Sequence, residues 1–129
     1  MLSYVLQAYA TMVGGSIKVR EVLDAVPKIN TEGGNKLDED YSQTTLEVID
    51  ARFSYPSKPD AEVLKGVSFK VSSDQPRVVA LCGQSGCGKS SVISLVERFY
   101  DPDDGKIFYN GHDIRELEPK WYHQQVAIV

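Results

Sequence analysis

The sequence predicts an α/β fold of the phosphate-loop type: an antiparallel β subdomain and the start of a parallel core sheet, preceded by an α-helix. Three observations carry that expectation. Gly83-Gln84-Ser85-Gly86-Cys87-Gly88-Lys89-Ser90 fits the pattern G-x-x-x-x-G-K-[ST] at every fixed position. The run before it, 77–82, is almost wholly apolar, as expected of a strand covered on both faces of a parallel sheet. After Lys89, Val92, Leu95, Val96 and Phe99 recur at helical spacing until Asp101-Pro102 supplies a stop. A strand before and a helix after are the context that separates this pattern from a chance glycine-rich turn.

The chemistry of the loop follows from its residue types. Gly83, Gly86 and Gly88 free the backbone to turn successive N–H groups inward around phosphate oxygens, with Ser85 and Cys87 between them. Lys89 places a mobile point charge against β- and γ-phosphates, the Ser90 hydroxyl offers Mg²⁺ an oxygen ligand, and Ser91 reaches the α-phosphate. The N-terminus of the following helix adds partial positive charge. A nucleoside triphosphate with Mg²⁺ is the expected ligand.

With 129 residues, 42% apolar and 25% charged, the chain has the size and composition of one modest folded domain. A net charge of -4 with scattered Lys and Arg argues against a nucleic-acid partner. Two cysteines are too few for a metal site and are read as belonging to a reducing, cytosolic setting. Cys82 is expected as a small buried residue at a strand end; Cys87, beside Lys89, as a thiol open to alkylation.

In chain order, residues 1–17 carry no charge, and Leu2, Val5, Leu6, Tyr9, Val13 and Ile17 recur at helical intervals; Val22, Leu23 and Val26 continue the face until Pro27. The uncharged stretch falls short of the twenty or so apolar residues of a membrane span, so it reads as a soluble amphipathic helix or the cytosolic end of a membrane helix. Residues 27–44, with Gly33-Gly34 and several acids, look like a linker. From Thr45, Leu46, Val48, Ile49, Ala51 and Phe53 suggest a strand, Pro56 to Asp60 a turn, and Val63 to Val71 a second strand with Gly66 at a bulge. Asp103-Asp104-Gly105 turns the chain into 106–109, Asn110-Gly111 signals a hairpin, Pro119 opens a short helix, and 126–129 begins another apolar strand. His112 and His123 read as surface polar residues, Trp121 as buried packing, and Asp101, Asp103 and Asp104 as a solvated turn rather than a metal site.

Several stretches, in order, then resemble the nucleotide-binding domain of ATP-binding-cassette exporters, the multidrug-resistance branch above all. Phe53-Ser54-Tyr55-Pro56-Ser57-Lys58-Pro59-Asp60 looks like its adenine-stacking loop, with Lys58 where arginine is more usual. Val63 to Phe69, the loop 83–91, Glu97 to Gly105 and Asn110 to Arg115 match its wording over about residues 45–129. The resemblance implies that Tyr55 stacks on adenine, that Gly86, Cys87, Gly88 and Lys89 hold the β- and γ-phosphates of ATP, and that Ser90 holds Mg²⁺ and Ser91 the α-phosphate. It implies three segments: 1–26 as the end of the last transmembrane helix with its cytosolic extension, 27–44 as linker, and 45–129 as the N-terminal part of the nucleotide-binding domain. It also implies an integral membrane parent with the nucleotide-binding part in the cytosol, whose partners are a transmembrane domain, a second nucleotide-binding domain and the lipid membrane.

The family's glutamine loop, signature, catalytic glutamate and switch histidine are not matched within these residues. The chain alone is therefore expected to bind nucleotide without hydrolysing it, the parent being the ATP-hydrolysing translocase. His123 stands where arginine is expected, and Ser72 to Pro76 lacks the usual glycine. Two other classes stay open: a non-hydrolytic nucleotide-binding product of a shortened gene, and another phosphate-loop enzyme such as a nucleotide kinase or GTPase.

Overall fold

The computed structural model describes residues 4, 7, 17–27, 29, 33–37, 44–74 and 77–128. Its centre is a four-stranded antiparallel sheet of β1 (Thr45–Ser54), β2 (Glu62–Ser72), β3 (Asp104–Tyr109) and β4 (His112–Asp113), in the order β2-β1-β3-β4. Two short helices, α1 (Lys89–Val96) and α2 (Pro119–Gln125), join it around a core that includes Phe53, Leu95, Ile107, Ile114, Leu117 and Tyr122.

Alternation along β1 puts Val48, Ala51 and Phe53 inside, but the period breaks once. Val48 pairs with Phe69 and Ala51 with Val67, so β1 carries an extra residue there, and Asp50 takes a left-handed φ of 45°. Immediately after, Gly66 is the extra residue on β2, between the pairs Ala51–Val67 and Arg52–Lys65, and supplies the expected bulge. A Cβ at Gly105 would collide with the Asp50 and Ile49 carbonyls of the bulge, and Gly66 itself takes a left-handed φ of 97°, so the bulge calls for glycine at both positions. The β3–β4 hairpin turns on Asn110 (φ 49°) and Gly111 (φ 79°), the doubly left-handed pair of a type I′ turn. Asn110 Oδ1 accepts the Thr45 N–H at 2.7 Å, pinning the turn to the start of β1.

Pro119 occupies the first turn of α2, as the sequence predicts. Trp121 is buried, edge-on to Tyr109 with ring centroids 6.2 Å apart. Tyr122 is fully buried; its hydroxyl donates to the Val96 carbonyl at 2.6 Å, and burial, with Glu97 nearby, pushes its ionisation far above the ordinary phenol range.

Three expectations are corrected. Residues 77–82 and 126–128 pair with no strand among the described residues; they line an apolar groove with Phe69, Val71 and α1, and Val78 is 82% exposed. A strand exists only where a neighbour supplies its ladder, and apolar composition cannot supply one. Cys82 is accordingly exposed rather than buried. The helix after Lys89 ends at Val96, before Phe99: Arg98 turns left-handed (φ 55°), which puts Phe99 in solvent at 57% exposure. Within the expected linker, residues 34–37 lie against the domain, Asn35 bridging to Leu117.

Residues 17–23 are helical; on them Ile17, Val19, Val22 and Leu23 are exposed, as is Val26 just beyond. Of the uncharged stretch before them only Tyr4 and Gln7, both helical, fall within the described residues. Among the described residues no helix is long and apolar enough to cross a membrane, and no group of acids, His or Cys is arranged to hold a metal. The acidic turn is instead used locally: Asp101 pairs with Arg98, Asp103 accepts the Ser54 N–H, and Asp104 accepts the Gly105 N–H.

Asp113 and Arg115 form a bidentate pair, Nη2 to Oδ2 at 2.6 Å and Nε to Oδ1 at 3.0 Å. Burial pushes the Asp113 carboxyl up, but the Arg115 side chain, its backbone N–H and its charge outweigh that and hold the carboxyl below its ordinary 3.8. A carboxyl lowered on folding stabilises the fold above its unfolded value and loses that contribution as pH falls through the folded one. An NMR titration is expected to show Asp113 ionising below 3.8, and Arg115→Met to move it upward and remove the matching loss of stability in acid.

Candidate functional site

The loop 83–91 leaves the 77–82 segment, crosses the end of β2 and enters α1. Gly88 is the N-cap of α1 at φ 93°, with no side chain capping the helix and no acid in its first turn. The first N–H groups of α1 therefore face outward without a protein anion, the arrangement in which a helix N-terminus receives phosphate. Gly86 is also left-handed (φ 82°), and a Cβ there would point into open space. Gly88 has the opposite surroundings: a Cβ would sit 2.7 Å from Leu64 Cδ2 and 3.2 Å from the Val63 carbonyl. One glycine gives the loop its curvature, the other lets it press onto β2.

A cavity of about 380 Å³ opens against this loop, lined by Tyr55, Val63, Ser85, Gly86, Gly88, Lys89, Ser90 and Ser91. Tyr55, on the turn after β1, and the loop residues are thus brought to one place. Tyr55 is propped edge-on by Phe53 and Tyr100, at centroid distances of 4.9 and 5.5 Å. Its hydroxyl lies 2.9 Å from Ser91 Oγ, on a serine that is 4% exposed.

Lys89 is held back on its own loop. Its ammonium donates to the carbonyls of Gly83 (2.9 Å) and Gln84 (2.8 Å) and lies 3.5 Å from Cys87 Sγ. Of the residues expected to touch nucleotide, Gly83 and Cys87 are the two that do not line the cavity; they sit behind it as partners of Lys89. Cys87 is exposed, as an alkylation-prone thiol must be. Val63 is a lining residue that the sequence reading missed, because nothing in an apolar strand residue marks which end meets a loop.

His123 is exposed, with Nε2 2.7 Å from the Glu97 carbonyl, so that nitrogen carries the proton. His112 is exposed on β4, and neither histidine lines the cavity.

Comparison with known proteins points to one family. The family model described as ABC transporter matches residues 64–129. "ABC transporter B family member 1" of Dictyostelium discoideum is 40% identical over 99% of this chain and 14% of its own length. "Multidrug resistance protein 1" of Entamoeba histolytica is 37% identical over 97% of this chain and 9% of its own length. The solved structure of a bacterial Atm1-family ABC exporter with ATP bound superposes with a TM-score of 0.68 at 29% identity, covering 94% of this chain and 21% of that one. This chain therefore spans a small part of the length of each of these proteins.

Proposed function

The chain belongs to the ABC transporter family, and from that premise we propose that residues 45–129 form the ATP-holding part of a nucleotide-binding domain in a membrane exporter. The observation that carries the reading is one cavity lined both by an aromatic ring and by an uncapped helix N-terminus whose Lys89 rests on the Gly83 and Gln84 carbonyls. Those are the two ends of a nucleoside triphosphate.

In this proposal Tyr55 stacks on adenine, an aromatic contribution of about 1–3 kcal/mol. Gly86, Cys87, Gly88 and Lys89 hold the β- and γ-phosphates, Ser91 takes the α-phosphate, and Gly83 and Ser85 shape the loop. Lys89 leaves the carbonyls of Gly83 and Gln84 for the phosphates, which exchanges two neutral acceptors for charged ones. Ser90, exposed at the mouth of the helix, fits Mg²⁺ through a hard hydroxyl oxygen, and the ion would neutralise phosphate charge. Residues 1–26 would be the end of a transmembrane helix and its extension, and 27–44 the join to the domain. The whole protein would pair two such domains on a transmembrane unit, with ATP binding drawing them together and hydrolysis resetting them.

Calorimetric titration with ATP tests the site. Lys89→Met is expected to weaken ATP roughly ten- to hundredfold, the value of one lost charge-assisted contact. Tyr55→Ala is expected to weaken ATP while leaving inorganic tripolyphosphate unchanged, because only the base meets the ring. ATP binding that survives Lys89→Met at full strength would overturn the assignment.

A further inference from the structure

Four consecutive residues of the expected linker, Gly34 to Leu37, are fastened to the domain. The Asn35 N–H donates to the Glu116 carbonyl at 2.8 Å, and the Asn35 carbonyl accepts the Glu118 N–H at 2.9 Å, a one-residue parallel pairing across Leu117. Gly34, at φ 105°, lies so close that a Cβ would stand 2.6 Å from Glu118 N. Lys36 Nζ is 3.0 Å from Glu118 Oε2, and that oxygen is shut from solvent with no hydrogen bond of its own, so the Lys36 charge is what offsets it. Leu37 packs against the core.

The place where these residues dock connects to the phosphate loop. Glu118 is the N-cap of α2. Near the other end of α2, the Tyr122 hydroxyl holds the Val96 carbonyl and His123 the Glu97 carbonyl, both at the C-terminal end of α1. The N-terminal end of α1 is Lys89 and the glycine-rich turn. Two short helices, gripped end to end by buried or short polar contacts, thus stand between Asn35 and the phosphate site. Before residue 33 the chain carries the helical residues 17–23, with Ile17, Val22 and Leu23 exposed.

We propose that residues 34–37 are a strap with docked and released states, and that docking on α2 is energetically linked to nucleotide binding at α1. The linkage rests on the ATP reading above. Nucleotide that orders α1 favours the α2 position to which the strap fits, and by reciprocity a docked strap tightens nucleotide. The strap also sets the point from which the helical segment leaves the domain, so releasing it would let that helix move independently of the site.

The test combines amide hydrogen exchange at Asn35 and Glu118 with ATP titration, in the full chain. Gly34→Ala is expected to speed exchange at both amides tenfold or more and to raise the Kd for ATP about fivefold, the lower end of ordinary coupling. Lys36→Glu, which sets a second carboxylate against Glu118, should do the same from the side-chain end, and Lys36→Arg should do neither. Adding ATP to the unaltered chain should slow exchange at the same two amides by the same factor. Faster exchange with an unchanged Kd would overturn the linkage alone, and unchanged exchange in Gly34→Ala would overturn the strap itself. Failure of the unaltered chain to bind ATP would overturn the nucleotide reading and the linkage with it.

Discussion

Arg98→Met is expected to destabilise the fold by about 3–5 kcal/mol, the scale measured when one partner of a buried polar network is removed. The Arg98 side chain is 6% exposed and gives Nη1 to the Leu117 carbonyl at 3.2 Å, Nη2 to the Arg115 carbonyl at 3.1 Å, and Nε to Asp101 at 3.4 Å. Those acceptors lie on the segment between β4 and α2 and on the turn before β3, so a single guanidinium closes two parts of the chain against the end of α1. Methionine fills similar volume but leaves two carbonyls without donors. It also keeps the left-handed φ of 55°, which costs a non-glycine residue about 1–2 kcal/mol. Arg98→Gly separates the effects: it removes the backbone cost and the hydrogen bonds together, and should destabilise somewhat less than the loss of contacts alone predicts. Chemical denaturation of the two variants checks the ranking. If Arg98→Met unfolds at the same denaturant concentration as the parent, the guanidinium is not what closes this corner.

The same residue explains where sequence reading stopped. Periodicity through Val92, Leu95, Val96 and Phe99 extends the helix by a turn, because nothing local opposes it. What ends it is the pull of carbonyls at Arg115 and Leu117, distant in sequence. Features encoded by a few adjacent residues were legible: the loop at Gly83 to Ser90, the Asn110-Gly111 turn, Pro119 at a helix start, the bulge at Gly66. Features completed by remote backbone were not. Apolar residues at 77–82 describe a strand's faces but not its neighbours, and nothing local to Gly33-Gly34 shows that Gly34 lies against Glu118. The candidate site divides the same way. Tyr55 and the loop are named by their motifs, whereas Val63 and the resting position of Lys89 on the Gly83 and Gln84 carbonyls exist only in three dimensions.

Gly88→Val is expected to remove measurable ATP binding, a loss beyond about a hundredfold, or more than roughly 2.7 kcal/mol. Two costs add at this position. The backbone is left-handed at φ 93°, which a β-branched residue resists by about 1–2 kcal/mol or more. Its Cβ also has nowhere to go, with Leu64 Cδ2 at 2.7 Å and the Val63 carbonyl at 3.2 Å. Leu64 is 3% exposed and belongs to the core, and Val63 is held in β2, so the loop must be the part that moves. Moving it lifts the N-cap of α1 and turns the first helical N–H groups and Ser91 away from the cavity wall that β2 and Tyr55 provide. Gly86→Ala is the comparison, since its Cβ meets nothing and only the conformational cost remains; ATP should weaken there by about tenfold. Measuring both by titration, with thermal melts to confirm that the sheet persists, tells steric packing of the loop from its curvature. Equal losses at Gly86 and Gly88 would mean that contact with β2 does not position the loop, and that its φ angles alone shape the phosphate site.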